Sequence, residues 1–287
     1  MSYFKKIFPF SLMLILFISG CSSSNKVSSS ADEGNKGNQD VKTVTIAFAN
    51  NEAPQNYEDK NGNPAGYEIE VMKLVDKELP QYKFKYVATT DDDLLIGVQT
   101  GKYQAGTKGA FYTEERAKKY IYPKEFFGGS VTGLVVRAED KDRIKNLADL
   151  AKTNAKLIPI APQNAQYNVI TDYNKEHPDD PIKLENSENF TVLDWAAWLT
   201  EKRYDAFMAI KTAFEKSVKE QGAPYKNLDG KLVFNQFTAI KTYPLFNNKE
   251  QQLADDFDSV IKKLKEDGTL NKLAVQYLGE DTIKLVE

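Results

Sequence analysis

Two rhythms of apolar and polar positions run along the chain. Val44-Thr45-Ile46-Ala47-Phe48 and Phe84-Lys85-Tyr86-Val87 are short β-type runs and predict strands. Between them, Val71, Leu74 and Val75 recur at the spacing of one helix face, after the turn chemistry of Asp59-Lys60-Asn61-Gly62-Asn63-Pro64. Leu94, Leu95, Val98 and Gln99 predict a second helix that Gly101 ends, and residues 103–107 a further short strand. Strand and helix thus alternate, which predicts α/β layers on a mostly parallel sheet. Farther on, residues 129–137 and 233–240 read as extended, and Ala206–Ile210 as a buried strand. Residues 157–161 predict a strand whose Pro159 marks an edge or an end. Helices are predicted over 146–152, 164–174 and 194–201, the last capped by Thr191 or Asp194. The clearest helix carries Leu253, Phe257, Val260, Ile261 and Leu264 on one stripe; Gly268 ends it, and 270–278 begins another.

The N-terminus follows a different logic. Lys5 and Lys6 precede an apolar run over 7–18, broken by Pro9 and Ser11, and then Ser19, Gly20 and Cys21, the one cysteine of the chain. That order predicts a secretory signal peptide, and the run is short for a membrane span. The ending Ile18-Ser19-Gly20-Cys21 resembles a bacterial lipoprotein signal. The resemblance implies removal of residues 1–20, lipid on Cys21 and tethering at the extracellular face of the cytoplasmic membrane. Residues 22–40 are rich in Ser, Asn, Gly and Lys, so 21–42 is expected to be a flexible linker.

Charge and composition narrow the chemistry. The chain has 38 basic and 41 acidic residues and no basic stripe, which argues against a nucleic-acid partner. With one cysteine at the lipidation position and one histidine, His177, in a polar loop, histidine triads, histidine zinc sites and cysteine nucleophiles are set aside. No metal and no cofactor is expected, and carboxylate-only catalysis stays open. The 15 tyrosines and 16 phenylalanines suit either ring stacking on a ligand or core packing.

Four segments, taken in order, carry a family resemblance: residues 59–71, with Gly66-Tyr67-Glu68-Ile69-Glu70; residues 95–105; Thr113-Glu114-Glu115-Arg116; and Arg203-Tyr204-Asp205-Ala206-Phe207, together with Lys265-Glu266-Asp267-Gly268-Thr269. Their order resembles the extracellular solute-binding proteins of bacterial amino-acid ABC transporters, over nearly all of residues 43–280. The resemblance implies an α/β, two-lobed, periplasmic-binding-protein-like (type II) fold with a ligand cleft and two hinge crossings. Lobe one would be 43–132 plus 239–287 and lobe two 133–238, with hinges near 130–136 and 237–241. It also implies a non-enzymatic, monomeric subunit that closes on an amino acid and delivers it to a membrane permease.

Site residues follow from the same resemblance. Arg116 would grip the ligand α-carboxylate with its planar fork, and Thr113 would cap the helix that carries it. Lys108, Gly109 and Phe111 stand where the family presents groups to the ligand; Lys108 and Phe111 either shape specificity or pack. Gln163 and Asn164 open a helix whose N–H groups suit an anion. Ile210 replaces the usual aspartate partner of the α-ammonium, and Glu52 is a candidate replacement or a solvated loop residue. Tyr57, Phe111 and Tyr167 are candidate aromatic walls or core. Residues 123–127 and Thr107-Lys108-Gly109 look most like Gram-positive binding lipoproteins for cystine and related sulfur amino acids. Two alternatives remain: a ligand-sensing lipoprotein, and a dehydratase on the same scaffold with Glu52 or Glu125 as general acid.

Overall fold

The computed structural model describes residues 41–162, 164–185 and 194–287. Cys21, the signal segment, most of the linker, Gln163 and Thr191 lie outside them. In chain order the elements are β1 (Lys42–Ala49), β2 (Asn51–Glu52), β3 (Asn56–Glu58), β4 (Pro64–Ala65), α1 (Tyr67–Glu78), β5 (Tyr82–Thr89), α2 (Asp91–Thr100), β6 (Ala105–Phe111), α3 (Glu114–Ala117), β7 (Gly128–Arg137), α4 (Leu147–Lys152), α5 (Ala165–Glu176), α6 (Asp194–Thr200), β8 (Ala206–Ile210), α7 (Lys211–Phe214), β9 (Leu232–Phe246), α8 (Gln251–Glu266) and α9 (Thr269–Leu278).

Six strands form one continuous sheet in the order β5-β1-β6-β9-β7-β8. The period-two pattern explains how it is covered on both faces. On β1, Val44 and Ile46 join a core with α1, α8 and α9, while Ala47 faces a second core with Leu94 and Val98 of α2. On β7, Leu134 and Val136 pack against α4 and α5, and Val135 packs against α6 and α7. The first pair of cores builds lobe one from both ends of the described chain, and the second pair builds lobe two from its middle. The expected two-lobed α/β architecture is therefore the one observed.

The antiparallel strands β7 and β9 are the two crossings between the lobes, paired from Gly128 with Thr242 to Arg137 with Leu232. A register shift at Thr132/Gly133 bends the ribbon. Glycine is required there, because a Cβ on Gly133 would stand 2.4 Å from the Asn235 carbonyl oxygen.

The expectation of a mostly parallel sheet is corrected. β1 pairs in parallel with β5 and β6, but β6–β9, β7–β9 and β7–β8 are antiparallel. The reason is the long return strand β9, which arrives from lobe two and inserts beside β6 running the other way. The strand expected over 157–161 is also corrected: one bridge, Leu157 to Ala206, is all that forms. Pro159 has no N–H to extend the ladder. Among the described residues, no helix is long and apolar enough to cross a membrane.

Two of the segments singled out in the sequence act structurally. The Asp205 carboxylate accepts from Arg137 Nη2 (2.7 Å) and from the Lys156 amide (2.9 Å), closing one end of lobe two. Lys265 pairs with Glu125 (2.7 Å) over the Phe126 ring.

Candidate functional site

A cleft of about 340 Å3 lies between the lobes. Lobe one lines it with Glu52, Gln55, Lys108, Gly109, Phe111 and Arg116. Lobe two contributes Asn164 and Gln166 from the start of α5, and Ile210, Thr212 and Lys216 from the end of β8 onward. Ser130 enters from the crossing strand.

Arg116 is placed by a local motif. Thr113 is the N-cap of α3, its hydroxyl accepting from the Arg116 amide (3.2 Å). The guanidinium is held at one nitrogen, Nη1, which donates to the Phe111 carbonyl (3.1 Å); that carbonyl also accepts from Tyr122 (2.8 Å). No carboxylate of the described residues pairs with Arg116, so its remaining N–H donors can take an anion in the cleft. Thr113→Ala is expected to cost about 1 kcal/mol of stability, measured as a shift in denaturant midpoint, because one orphan amide of α3 loses its acceptor.

Asn164 stands at the N-cap position of α5 without a side-chain capping bond. The first amides of a helix have no intrahelical partner, so the α5 N-terminus offers donors to the same cleft.

On the other side of the chemistry are carboxylates. Glu68, in the first turn of α1, is 1 % exposed. Its Oε2 accepts from Asn56 Nδ2 (2.6 Å) and from the Gly109 amide (3.1 Å), and Asn56 is itself held by Thr107 (2.9 Å). Gly109, at φ 60°, adopts the left-handed backbone that favours glycine. A Cβ there would lie 3.8 Å from Glu52 Oε2 and 3.9 Å from Glu68 Oε1, so both carboxyls converge on this residue. Burial pushes Glu52 up to about 7, with Lys108 opposing the rise and Glu68 and Asp91 adding to it. Burial likewise pushes Glu68 up to about 7, outweighing the bonds from Asn56 and Gly109 that favour its charged form. Lys108 is paired with Asp91 (2.7 Å). Lys211 of α7 bridges to Glu280 (2.5 Å), joining lobe two to the C-terminal part of lobe one.

Seven of the residues singled out in the sequence meet here: Glu52, Lys108, Gly109, Phe111, Arg116, Asn164 and Ile210. Tyr57 does not line the cleft; it sits in β3, in register with Asn51 and Ala65. Tyr167 packs on the α4–α5 core of lobe two. Glu68 was assigned no role in the sequence, where it reads as one of two acids opening a helix; the signal was its place between the apolar Tyr67 and Ile69, all three buried. Gln166 and Thr212 carried no local signal, and Ser130 was legible only as part of the hinge segment 130–136. Among the described residues, no three His, Cys, Asp or Glu side chains converge as a metal site. The cleft therefore offers a guanidinium and helix amides to an anion, and the half-buried Glu52 carboxyl to a cation, with Glu68 buried behind it.

The model of the bacterial extracellular solute-binding proteins, family 3, matches residues 44–280. The L-cystine-binding protein TcyJ of Bacillus subtilis is 31% identical over 265 residues, covering 92% of this chain and 91% of that protein. The L-cystine-binding protein TcyK of the same organism is 27% identical, covering 94% of each. A solved structure from work on glutathione import via GshT and the cystine importer TcyBC of Streptococcus mutans is 31% identical, with a TM-score of 0.59 over 84% of this chain and 96% of that one. The probable amino-acid transporter binding protein ytmK of Bacillus subtilis superposes with a TM-score of 0.64 at 25% identity, over 84% of this chain and 99% of that one.

Proposed function

Because this chain belongs to family 3 of the bacterial extracellular solute-binding proteins, we propose that it captures cystine for an ABC importer, closing its lobes on the ligand and handing it to a membrane permease. The observation that carries the reading is the pairing, in one inter-lobe cleft, of an Arg116 fork without a carboxylate partner among the described residues and the half-buried carboxyl of Glu52, with the buried Glu68 behind Gly109. Such a set suits a dipolar amino acid. Arg116 and the α5 N-terminus take the carboxylate, and Glu52 replaces the charge that Ile210 lacks. Lys108 also lines the cleft, with its charge already paired to Asp91 (2.7 Å). The TcyJ and TcyK likenesses support cystine in particular.

The same reading takes the lobes as 43–132 with 239–287, and 133–238, and takes Cys21 as the lipid anchor that holds a monomer at the extracellular face of the membrane. The family is one of binding proteins, which supports a non-enzymatic role. A ligand moves the lobes only through contacts that the open form lacks, and a cleft lined from both lobes can supply them.

A second reading, glutathione, is favoured by the 31% identity to the Streptococcus mutans structure. One titration separates the two. Protein unfolded and refolded to strip carried-over ligand is melted with L-cystine, glutathione or the standard amino acids. At 100-fold excess over Kd, ligand adds about 2.7 kcal/mol to the native state, a rise of roughly 5–10 °C for a chain this size. The expected result is that rise with cystine. A rise with glutathione alone, or with a standard amino acid alone, would replace cystine as the substrate.

A further inference from the structure

The cleft adjoins a second space. A cavity of about 150 Å3 in lobe two is lined by Val135, Trp195, Phe207, Met208 and Phe214, and it shares Gln166, Ile210 and Ala213 with the cleft. Its walls are braced aromatic rings. Trp195 stacks flat on Phe207 (5.2 Å, 18°) and meets Tyr225 edge-on (5.4 Å), and Phe214 stacks on Phe234 (5.7 Å). Trp195, Met208 and Phe214 are almost wholly buried, so the walls have little room to collapse inward.

Protein interiors rarely hold voids much larger than a water molecule. This space is a pocket open on one side, not a sealed void, and a volume of roughly 150 Å3 is large enough for a benzene-sized group. Here the lining side chains with polar atoms are Gln166, Ser217 and the Trp195 indole, too few to hold a cluster of waters well. The junction with the cleft carries no charge, because the residues shared there are Ile210, Ala213 and Gln166.

We infer that this side pocket receives a neutral, ring-sized apolar arm of a ligand whose carboxylate is held at Arg116. The inference rests on the amino-acid reading of the cleft and widens its substrate class. A charged second head, such as that of cystine, is kept out, because burying an unpaired charge among these rings is costly. A benzyl or comparable arm loses its apolar surface to the pocket and gains affinity in proportion to the area removed from water.

The test is calorimetric titration of the full-length protein with S-benzyl-L-cysteine, S-methyl-L-cysteine and L-cystine. Two fillers, Ser217→Phe and Ala209→Leu, act from different walls, and both positions line the side pocket without lining the cleft. Wild type is expected to bind the benzyl ligand about tenfold or more tighter than the methyl ligand. Each filler that folds is expected to reduce that preference to about threefold or less. Equal binding of the two ligands by wild type, or a preference that survives both fillers, would overturn the side pocket and leave the amino-acid reading standing. No binding of any of the three ligands would overturn both.

Discussion

Arg116→Ala is expected to weaken amino-acid binding by roughly 30- to several thousand-fold, the range for removing one partner of a desolvated charge pair. The fold should be nearly indifferent to the change. Arg116 makes one side-chain bond to the backbone, to the Phe111 carbonyl, and that carbonyl keeps Tyr122 as a donor. Melting of the ligand-free variant should therefore stay close to wild type while titration loses its heat. Arg116→Lys separates charge from geometry. It keeps the positive charge but not the planar fork, so an intermediate loss is expected. Undiminished binding by Arg116→Ala would mean that the anion is held elsewhere, with the α5 N-terminus the next place to look.

Glu68→Gln should change how stability depends on pH. In the folded protein burial raises Glu68 to about 7, above its ordinary 4.5. A carboxyl raised in the folded state stabilises fully below its unfolded value, and that contribution is lost as pH rises through the folded value. Glu68 thus favours folding near pH 4.5 and loses its contribution by about pH 8, a span of about 3 kcal/mol. Glu52, raised to about 7 as well, acts in the same direction. A glutamine side-chain oxygen can still accept from Gly109 and Asn56 but does not titrate. The ligand-free variant should match wild type near pH 5 and melt at a higher temperature near pH 8. Parallel melting curves for the two proteins across that window would refute the buried carboxyl. With ligand, the sign reverses for Glu52. An ammonium beside it favours the charged form, so affinity should rise as pH rises through about 7, and Glu52→Gln should flatten that rise.

Both predictions depend on residues that differ in how visible they are in the sequence. Arg116 was legible because its placement is local. A Thr three residues earlier caps the turn, and the same short motif is one of the four segments whose order carries the family resemblance. Glu68 was not, because an acid in the first turn of a helix has an ordinary explanation in the helix dipole. Its partners, Asn56, Thr107 and Gly109, come from other elements. Ile210 was visible as a missing charge, but the ring-lined cavity beside it was not. Trp195, Phe207 and Phe214 each look like core residues one at a time, and a void is a property of how they fail to fill space together.

Taken alone, the sequence determined the elements whose cause lies within one stretch of chain. These include the amphipathic stripe of α8, the helix α2 ended at Gly101, the helix opening at Asn146 and the extended runs that become β1 and β7. Periodicity and capping act over a few residues, so they can be read there. The tertiary structure decided what depends on chain segments far apart in sequence. It set β9 antiparallel beside β6, reduced residues 157–161 to one bridge, brought Glu52 and Glu68 to Gly109, and left an apolar space behind Ile210. Packing between distant elements fixes which buried groups share a site, and local patterns do not carry that information.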